Sequence, residues 1–287
     1  MLLDVARGVI EVASGPEGSE VEFTVTMRVQ AKGAAAADNR TDYERVFKRM
    51  APRFKADARR VRMDVADMRE VVFDWDASLQ MVIDVRVTVP AGVPLEVRNV
   101  AAGVTLGKRH VGDVEIRSEA GSLFAETVDG GLIATTHSGS ITVGEVTGRS
   151  ELGSDTGLVL AGRLRGPADV RTSVGSVEIQ QAFDVLKVRG DHADIILGVS
   201  TPVPEGMDLR TSAGSITLNI DENVAVTVDA STRLLGAVRA RGLELMRRSG
   251  ELGESSFSAD LGGGGPVIKV RTGGANVSLV GRAPLDQ

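Results

Sequence analysis

Glycine recurs at Gly103, Gly121, Gly139, Gly157 and Gly175, and every interval is 18 residues. A fixed period in this range marks a repeat architecture, in which each unit buries its apolar face only against the next. The flanking residues repeat as well. Arg117-Ser-Glu-Ala-Gly-Ser-Leu resembles Thr135-Thr-His-Ser-Gly-Ser-Ile, and Arg171-Thr-Ser-Val-Gly-Ser-Val resembles Arg210-Thr-Ser-Ala-Gly-Ser-Ile. The next register position holds Ala193, and after a three-residue insertion the pattern resumes at Gly214. Ala275 takes the same place near the C-terminus.

Each unit carries two short runs of period-two alternation. Val114/Ile116 and Leu132/Ala134 face one way in the first run, and Leu123/Ala125 and Ile141/Val143 do so in the second. Such runs are strands with one buried face. A third apolar column, Val128, Val146 and Leu164, precedes another set of glycines at Gly130, Gly148 and Gly166 and reads as a further corner. Ser118, Thr136, Ser154, Thr172 and Thr211 form a hydroxyl column at the first bend, suited to satisfying backbone groups there. The predicted fold class is mainly β: a single-stranded parallel β-solenoid (β-helix) with 18-residue coils and a right-handed path. Aromatic residues make up 3% of the chain and Gly reaches 34 residues, which suits a thin core of Val, Ile, Leu and Ala.

A coil stack has two open ends that would template aggregation. Residues 1–96 read as N-terminal coils and a helix-bearing cap, 97–220 as the regular solenoid, and 221–287 as irregular C-terminal coils, together one continuous domain. Between Asp38 and Arg62, Tyr43, Val46, Phe47 and Met50 recur at helical spacing, which predicts one amphipathic helix ended or kinked by Pro52. Strands are expected at Val9–Val12, Val21–Val29, Val71–Trp75 and Met81–Val89, with a final pair at Val267–Arg271 and Asn276–Val280.

Several segments resemble a known family. Val87-Thr-Val-Pro-Ala-Gly-Val-Pro-Leu-Glu-Val97, the glycine-led strand repeats, Gly265-Pro-Val-Ile-Lys-Val-Arg-Thr272 and the opening Val5-Ala-Arg-Gly-Val-Ile-Glu-Val12 are similar to the bacterial "putative adhesin" family. Its members carry a β-strand-repeat domain of unknown function. The resemblance spans nearly the whole chain and rests on structural motifs. It implies a β-helical, non-enzymatic surface or envelope protein, and it supplies no catalytic residues to carry over.

Net charge is −6, which argues against a chain whose whole surface binds nucleic acid. The absence of Cys excludes disulfides and thiolate metal sites. No stretch approaches 18 consecutive apolar residues, so no transmembrane helix is expected. Met1-Leu2-Leu3-Asp4-Val5 lacks the basic and apolar regions of an export signal. The expected location is cytoplasmic, or the cell surface or medium if a signal was removed.

Stacking makes residues one period apart neighbours. Glu119, His137, Asp155, Ser173 and Asp191 then share a column, which invites a hydrolase reading. His137 and Ser173 would stand two rungs apart, about 9.6 Å, beyond hydrogen-bond reach. The column is therefore read as solvated turn residues. His192 between Asp191 and Asp194 matches no metal-ligand spacing, and neither a metal nor a cofactor is expected. Arg171, Arg189 and Arg210, with Arg117 further along, form an outward basic stripe that could hold an anionic polysaccharide, partly neutralised by Asp169 and Asp208. Residues 38–62 hold nine Arg or Lys against four Asp or Glu, a second basic feature open to an anionic membrane or acidic partner. Gly262–Gly265 lacks the Lys-Ser/Thr of a phosphate loop.

Three function classes follow: a structural or adhesive solenoid that binds a polysaccharide or surface protein, a scaffold that self-associates through its ends, and a β-helical carbohydrate-active enzyme. The last is least supported, because Trp75 and Tyr43 lie outside the repeat and no carboxylate pair is singled out.

Overall fold

The computed structural model describes residues 1–31, 48, 51–56, 61–64, 79–201, 203–233 and 236–282. Over these residues the chain is mainly β, and no helical element is present. It begins with β1 (Leu2–Gly15), β2 (Glu22–Ala31), β3 (Arg53–Ala56), β4 (Val61–Asp64), β5 (Leu79–Pro90) and β6 (Leu95–Leu106). The repeat follows as β7 (His110–Val111), β8 (Val114–Ala120), β9 (Leu123–Asp129), β10 (Leu132–Ser138), β11 (Ile141–Val146), β12 (Ser150–Leu164), β13 (Ala168–Ala182) and β14 (Leu186–Val199).

The sequence period becomes the pairing register. On a front ladder, Leu132 of β10 pairs in parallel with Val114 of β8 and Ser150 of β12, each 18 residues away. On a back ladder, Ile141 of β11 pairs with Leu123 of β9 and Val159 of β12 at the same offset. The long strands β6 and β12 serve both ladders, so β6, β8, β10, β12, β11 and β9 close into a ring of six parallel strands. Beyond the ring, β13 and β14 continue both ladders. Inward residues stack in columns. Val97, Ile116, Ala134, Leu152, Val170, Val188 and Leu209 line the front wall. Val104, Leu123, Ile141, Val159, Val177 and Ile195 line the back, and all are buried. Burying such a side chain is worth about 1.5–3 kcal/mol.

Glycine at the first corner is demanded by backbone contact. A Cβ on Gly157 would lie 2.2 Å from the Gly139 carbonyl oxygen, and the residue has φ +151°. The hydroxyl column ties the same corner together. Thr136, Ser154, Thr211 and Thr272 donate to the carbonyls of Gly121, Gly139, Ala193 and Gly214 in the adjacent coil, with Thr272 at 2.7 Å. Two members differ: Ser118 donates to Asn99 Oδ1 at 2.7 Å, and Thr172 is buried without a hydrogen-bond partner for its hydroxyl. Thr272 is 3% exposed, so Thr272→Val leaves a buried carbonyl without its donor. A loss of about 1–2 kcal/mol is expected in urea unfolding; an unchanged midpoint would mean the hydroxyl contributes nothing.

The C-terminal third holds β15 (Met207–Thr211), β16 (Ile216–Asp221), β17 (Val226–Thr232), β18 (Val238–Arg241), β19 (Met246–Gly250), β20 (Ser256–Leu261), β21 (Val267–Thr272) and β22 (Val277–Arg282). Val188 pairs with Leu209, an offset of 21 that absorbs the three-residue insertion. Chain order and spatial order then part. β21 and β22 stack directly on β15 and β16, and β17 and β18 stack on the far side of them. The strand pair expected at Val267–Arg271 and Asn276–Val280 is present as β21 and β22, and β17–β20 are further strands of this region. β20 pairs antiparallel with both β17 and β19, closing this end and burying Phe257.

The N-terminal end is closed in the same way. β1 lies between β6 on one side and β4 and β5 on the other. β3 and β2 then pair antiparallel with β4 and β5. The rings of Phe23 and Phe54 meet edge to face, 5.0 Å apart, across this end. The amphipathic helix expected between Asp38 and Arg62 is not found as an element among the described residues. Residues 53–56 and 61–62 of that span are strand, because Met63 pairs with Leu3 and is drawn fully into the core. Tyr43, Val46, Phe47 and Met50 lie outside the described residues, as does the strand expected at Val71–Trp75.

Candidate functional site

The front ladder presents two outward columns. One contains Arg98, Arg117, Thr135, Gly153, Arg171, Arg189, Arg210 and Arg271 in strict register. The other, two residues earlier on each strand, contains Glu96, Glu115, Ile133, Glu151, Asp169, Lys187, Asp208 and Lys269. Adjacent strands sit about 4.8 Å apart. The columns therefore form a row of paired charges along the stack.

Most arginines meet a carboxylate of their own strand. Arg98 bonds Glu96 at 2.6 Å, Arg117 bonds Glu115 at 2.6 Å, Arg171 bonds Asp169 at 3.0 Å and Arg210 bonds Asp208 at 2.7 Å. The hydrogen bond from Arg171, aided by nearby Arg189 and Lys187, holds the Asp169 carboxyl below the ordinary carboxylate range despite its partial burial. The same bonds push the already basic guanidiniums of Arg117, Arg171 and Arg210 higher. Partial neutralisation by Asp169 and Asp208 is thus borne out, and Glu96 and Glu115 extend it.

Two strands escape this neutralisation. β14 carries Lys187 with Arg189, and β21 carries Lys269 with Arg271, with no carboxylate on either strand in these columns, although the exposed Asp229 of β17 stands beside Lys269 in the register. Arg189 reaches Asp169 at 3.9 Å, but that group already holds Arg171. From β13 to β21 the two columns hold six cations against Asp169 and Asp208 alone. From β6 to β12 they hold Arg98 and Arg117 against Glu96, Glu115 and Glu151. The face is cationic toward its C-terminal half.

Sequence reasoning reached Arg117, Arg171, Arg189 and Arg210, and the structure brings the last three onto adjacent strands while Arg117 stands three strands from Arg171. It missed Arg98, Lys187, Lys269 and Arg271. A signal for the last two existed: Asp169-Val-Arg-Thr172, Asp208-Leu-Arg-Thr211 and Lys269-Val-Arg-Thr272 share one pattern.

Thr135 and Gly153 leave a gap between Arg117 and Arg171, and a groove of about 530 Å³ opens there. His137 and Asp155 border it, with Nδ1 and Oδ2 at 2.6 Å and both side chains mostly exposed. Ser173 makes no hydrogen bond to either, so the geometry assembles no nucleophile–base pair. Asp194 instead accepts the backbone amide and hydroxyl of Ser215 in the next coil, each at 2.7 Å. Among the described residues no group of three His, Asp or Glu is placed to hold a metal.

His110 departs from the other histidines. It is 2% exposed, shares a hydrogen bond with Ser14 Oγ at 3.2 Å, and leaves Nε2 without a partner. Burial pushes its pKa down, so the neutral ring is the form that fits the core. Gly262–Gly264 turn the chain between β20 and β21 with positive φ, a connecting loop. Of the basic segment, Arg53 and Lys55 are exposed on β3, and most of the rest lies outside the described residues. No helix among the described residues is long and apolar enough to cross a membrane.

No family model matches the chain, and no curated protein matches it. A solved structure described as a "putative cell adhesion protein" from Clostridium sporogenes is 10% identical over 98% of this chain and 92% of that one, with a TM-score of 0.21. At that distance the site has to be read from its own residues.

Proposed function

We propose that the stack is a parallel β-solenoid, wound right-handed, and that its front face binds an extended anionic polymer. On this reading the protein is a non-enzymatic, adhesin-like binding protein of a bacterial envelope. The supporting observation is the alignment of Lys187/Arg189 with Lys269/Arg271 on a face whose other cations are already paired. The two cationic strands flank β15 and stand about 9.6 Å apart. An extended acidic polysaccharide laid along the stack would meet them in succession. The groups are exposed, so the attraction is screened over about 8 Å at physiological salt. Closure of both ends by antiparallel strands gives a self-associating scaffold no comparable support.

Polygalacturonate binding measured at ~50 mM salt tests this. Replacing Lys187, Arg189, Lys269 and Arg271 with Gln should weaken it at least about tenfold, given exposed charge contacts worth about 0.2–1 kcal/mol each. Arg98→Gln with Arg117→Gln should change it less than about threefold. Equal binding by the quadruple variant would exclude the cationic strands as the contact. Shortening of the polymer during incubation would overturn the non-enzymatic reading.

A further inference from the structure

One strand of the front face is apolar where its neighbours are charged. Ile133 stands 36% exposed in the column that elsewhere holds Glu96, Glu115, Glu151, Asp169 and Asp208. Beside it the corner residues Gly130, Gly131 and Gly148 carry no side chains. Two of them cannot: a Cβ would lie 2.5 Å from the Gly112 oxygen at Gly130, and 2.7 Å from the Gly130 carbonyl carbon at Gly148. With Val93 and Pro94 at one end, the result is a trough of about 810 Å³, within the size range of ligand sites. Among the described residues nothing fills it.

Its rim is acidic. Glu96, Asp113, Glu115 and Glu151 border the trough, with Arg149 the single cationic side chain among them and the Met1 ammonium, which donates to the Pro94 carbonyl, at one end. Glu96 and Glu115 are held by Arg98 and Arg117, and Asp113 accepts the Gly131 amide at 2.7 Å. Glu151 has no ion pair or hydrogen bond among the described residues, because Gly153 stands where its strand would carry an arginine. An exposed apolar floor thus lies beside a carboxylate that no cation contacts directly, though its charge also acts on Arg117 and Arg171.

We propose that this trough docks a peptide segment of a partner protein that presents a bulky apolar side chain beside a lysine or arginine. The apolar group covers Ile133 and Val93, and the cation meets Glu151. An acidic segment is rejected by the rim. The trough lies toward the N-terminal half of the face, and the inference does not rest on polymer binding at the cationic half.

Fluorescence polarisation with the labelled peptide Lys-Leu-Phe-Lys-Leu-Lys and its counterpart Glu-Leu-Phe-Glu-Leu-Glu tests the assignment. The basic peptide should bind saturably, with Kd on the order of 10–100 µM, and the acidic one should not. Ile133→Glu and Glu151→Gln should each weaken binding at least about fivefold, while Arg189→Gln leaves it unchanged. Ile133→Glu places in this strand the charge its neighbours carry, and melting curves check that both variants fold. No saturation up to about 1 mM, equal binding of the acidic peptide, or unchanged binding by Ile133→Glu would overturn the proposal. A concentration-dependent dimer abolished by Ile133→Glu would assign the trough to a second copy and overturn it too.

Discussion

Gly157→Ala is expected to cost at least about 4 kcal/mol and to lower the melting temperature by at least about 7 °C, on the order expected for such a loss in a chain of this size. The added methyl would sit 2.2 Å from the Gly139 oxygen and 2.8 Å from the Gly139 carbonyl carbon. Both are backbone atoms of the adjacent coil, so no side-chain rotation relieves the overlap. The residue also holds φ +151°, a conformation costly for any L side chain by about 1–3 kcal/mol. Relief requires parting two coils and breaking hydrogen bonds between them. Natural domains are stable by only about 5–15 kcal/mol. Gly153→Ala is the internal control. Its nearest neighbour would be Thr135 Cγ2 at 3.5 Å, an ordinary contact, and its stability should stay within about 0.5 kcal/mol of the parent. Thermal unfolding of the two variants side by side decides the matter. If Gly157→Ala melts like Gly153→Ala, the corner is softer than the coil contacts imply.

Asp221→Ala should cost about 3 kcal/mol. Asp221 closes β16 and is 6% exposed. Its Oδ1 accepts Arg282 Nε at 2.6 Å, and the same guanidinium donates to Ser200 Oγ at 3.1 Å. Three successive coils are thereby joined at one edge. Removing the carboxylate leaves a partly buried cation without its ion pair, a costly loss. Pairing Asp221→Ala with Arg282→Ala should recover part of the loss, and a double-mutant cycle from urea unfolding measures how much. Strict additivity of the two single changes would show that the pair is not coupled.

These two predictions differ in how far their grounds were visible in the sequence. The corner glycines could be read directly, because a steric demand repeated every coil leaves the same residue at the same interval. The inward columns followed from period-two alternation for the same reason. Asp221 and Arg282 could not be matched, since they lie 61 residues apart. The intervening strands β17–β20 fold outside the coil that β21 and β22 complete. Lys269 and Arg271 were lost to the same detour, although they finish the cationic half of the front face. Arg53–Ala56 and Val61–Asp64, beyond Pro52, carry too short an alternation to be recognised locally and are strands through their pairing with each other and with β1. Ile133 was hidden differently. In Leu132-Ile133-Ala134 it reads as one more apolar residue of a strand, and only the register shows that it points out among carboxylates.

The placement of β1, β21 and β22 inside the stack has a consequence for how such a protein can vary in length. Each of these strands has a partner on both sides, and the outermost layers come from chain interior to the sequence. Residues appended at either terminus therefore cannot lengthen the stack by adding a layer at its tip. Growth or shrinkage within the repeat keeps the register when it goes by whole pairing periods, most often 18 residues, as when removal of the Leu132 layer would bring Val114 against Ser150. The molecule is extensible from its middle, with its two closures carried outward unchanged.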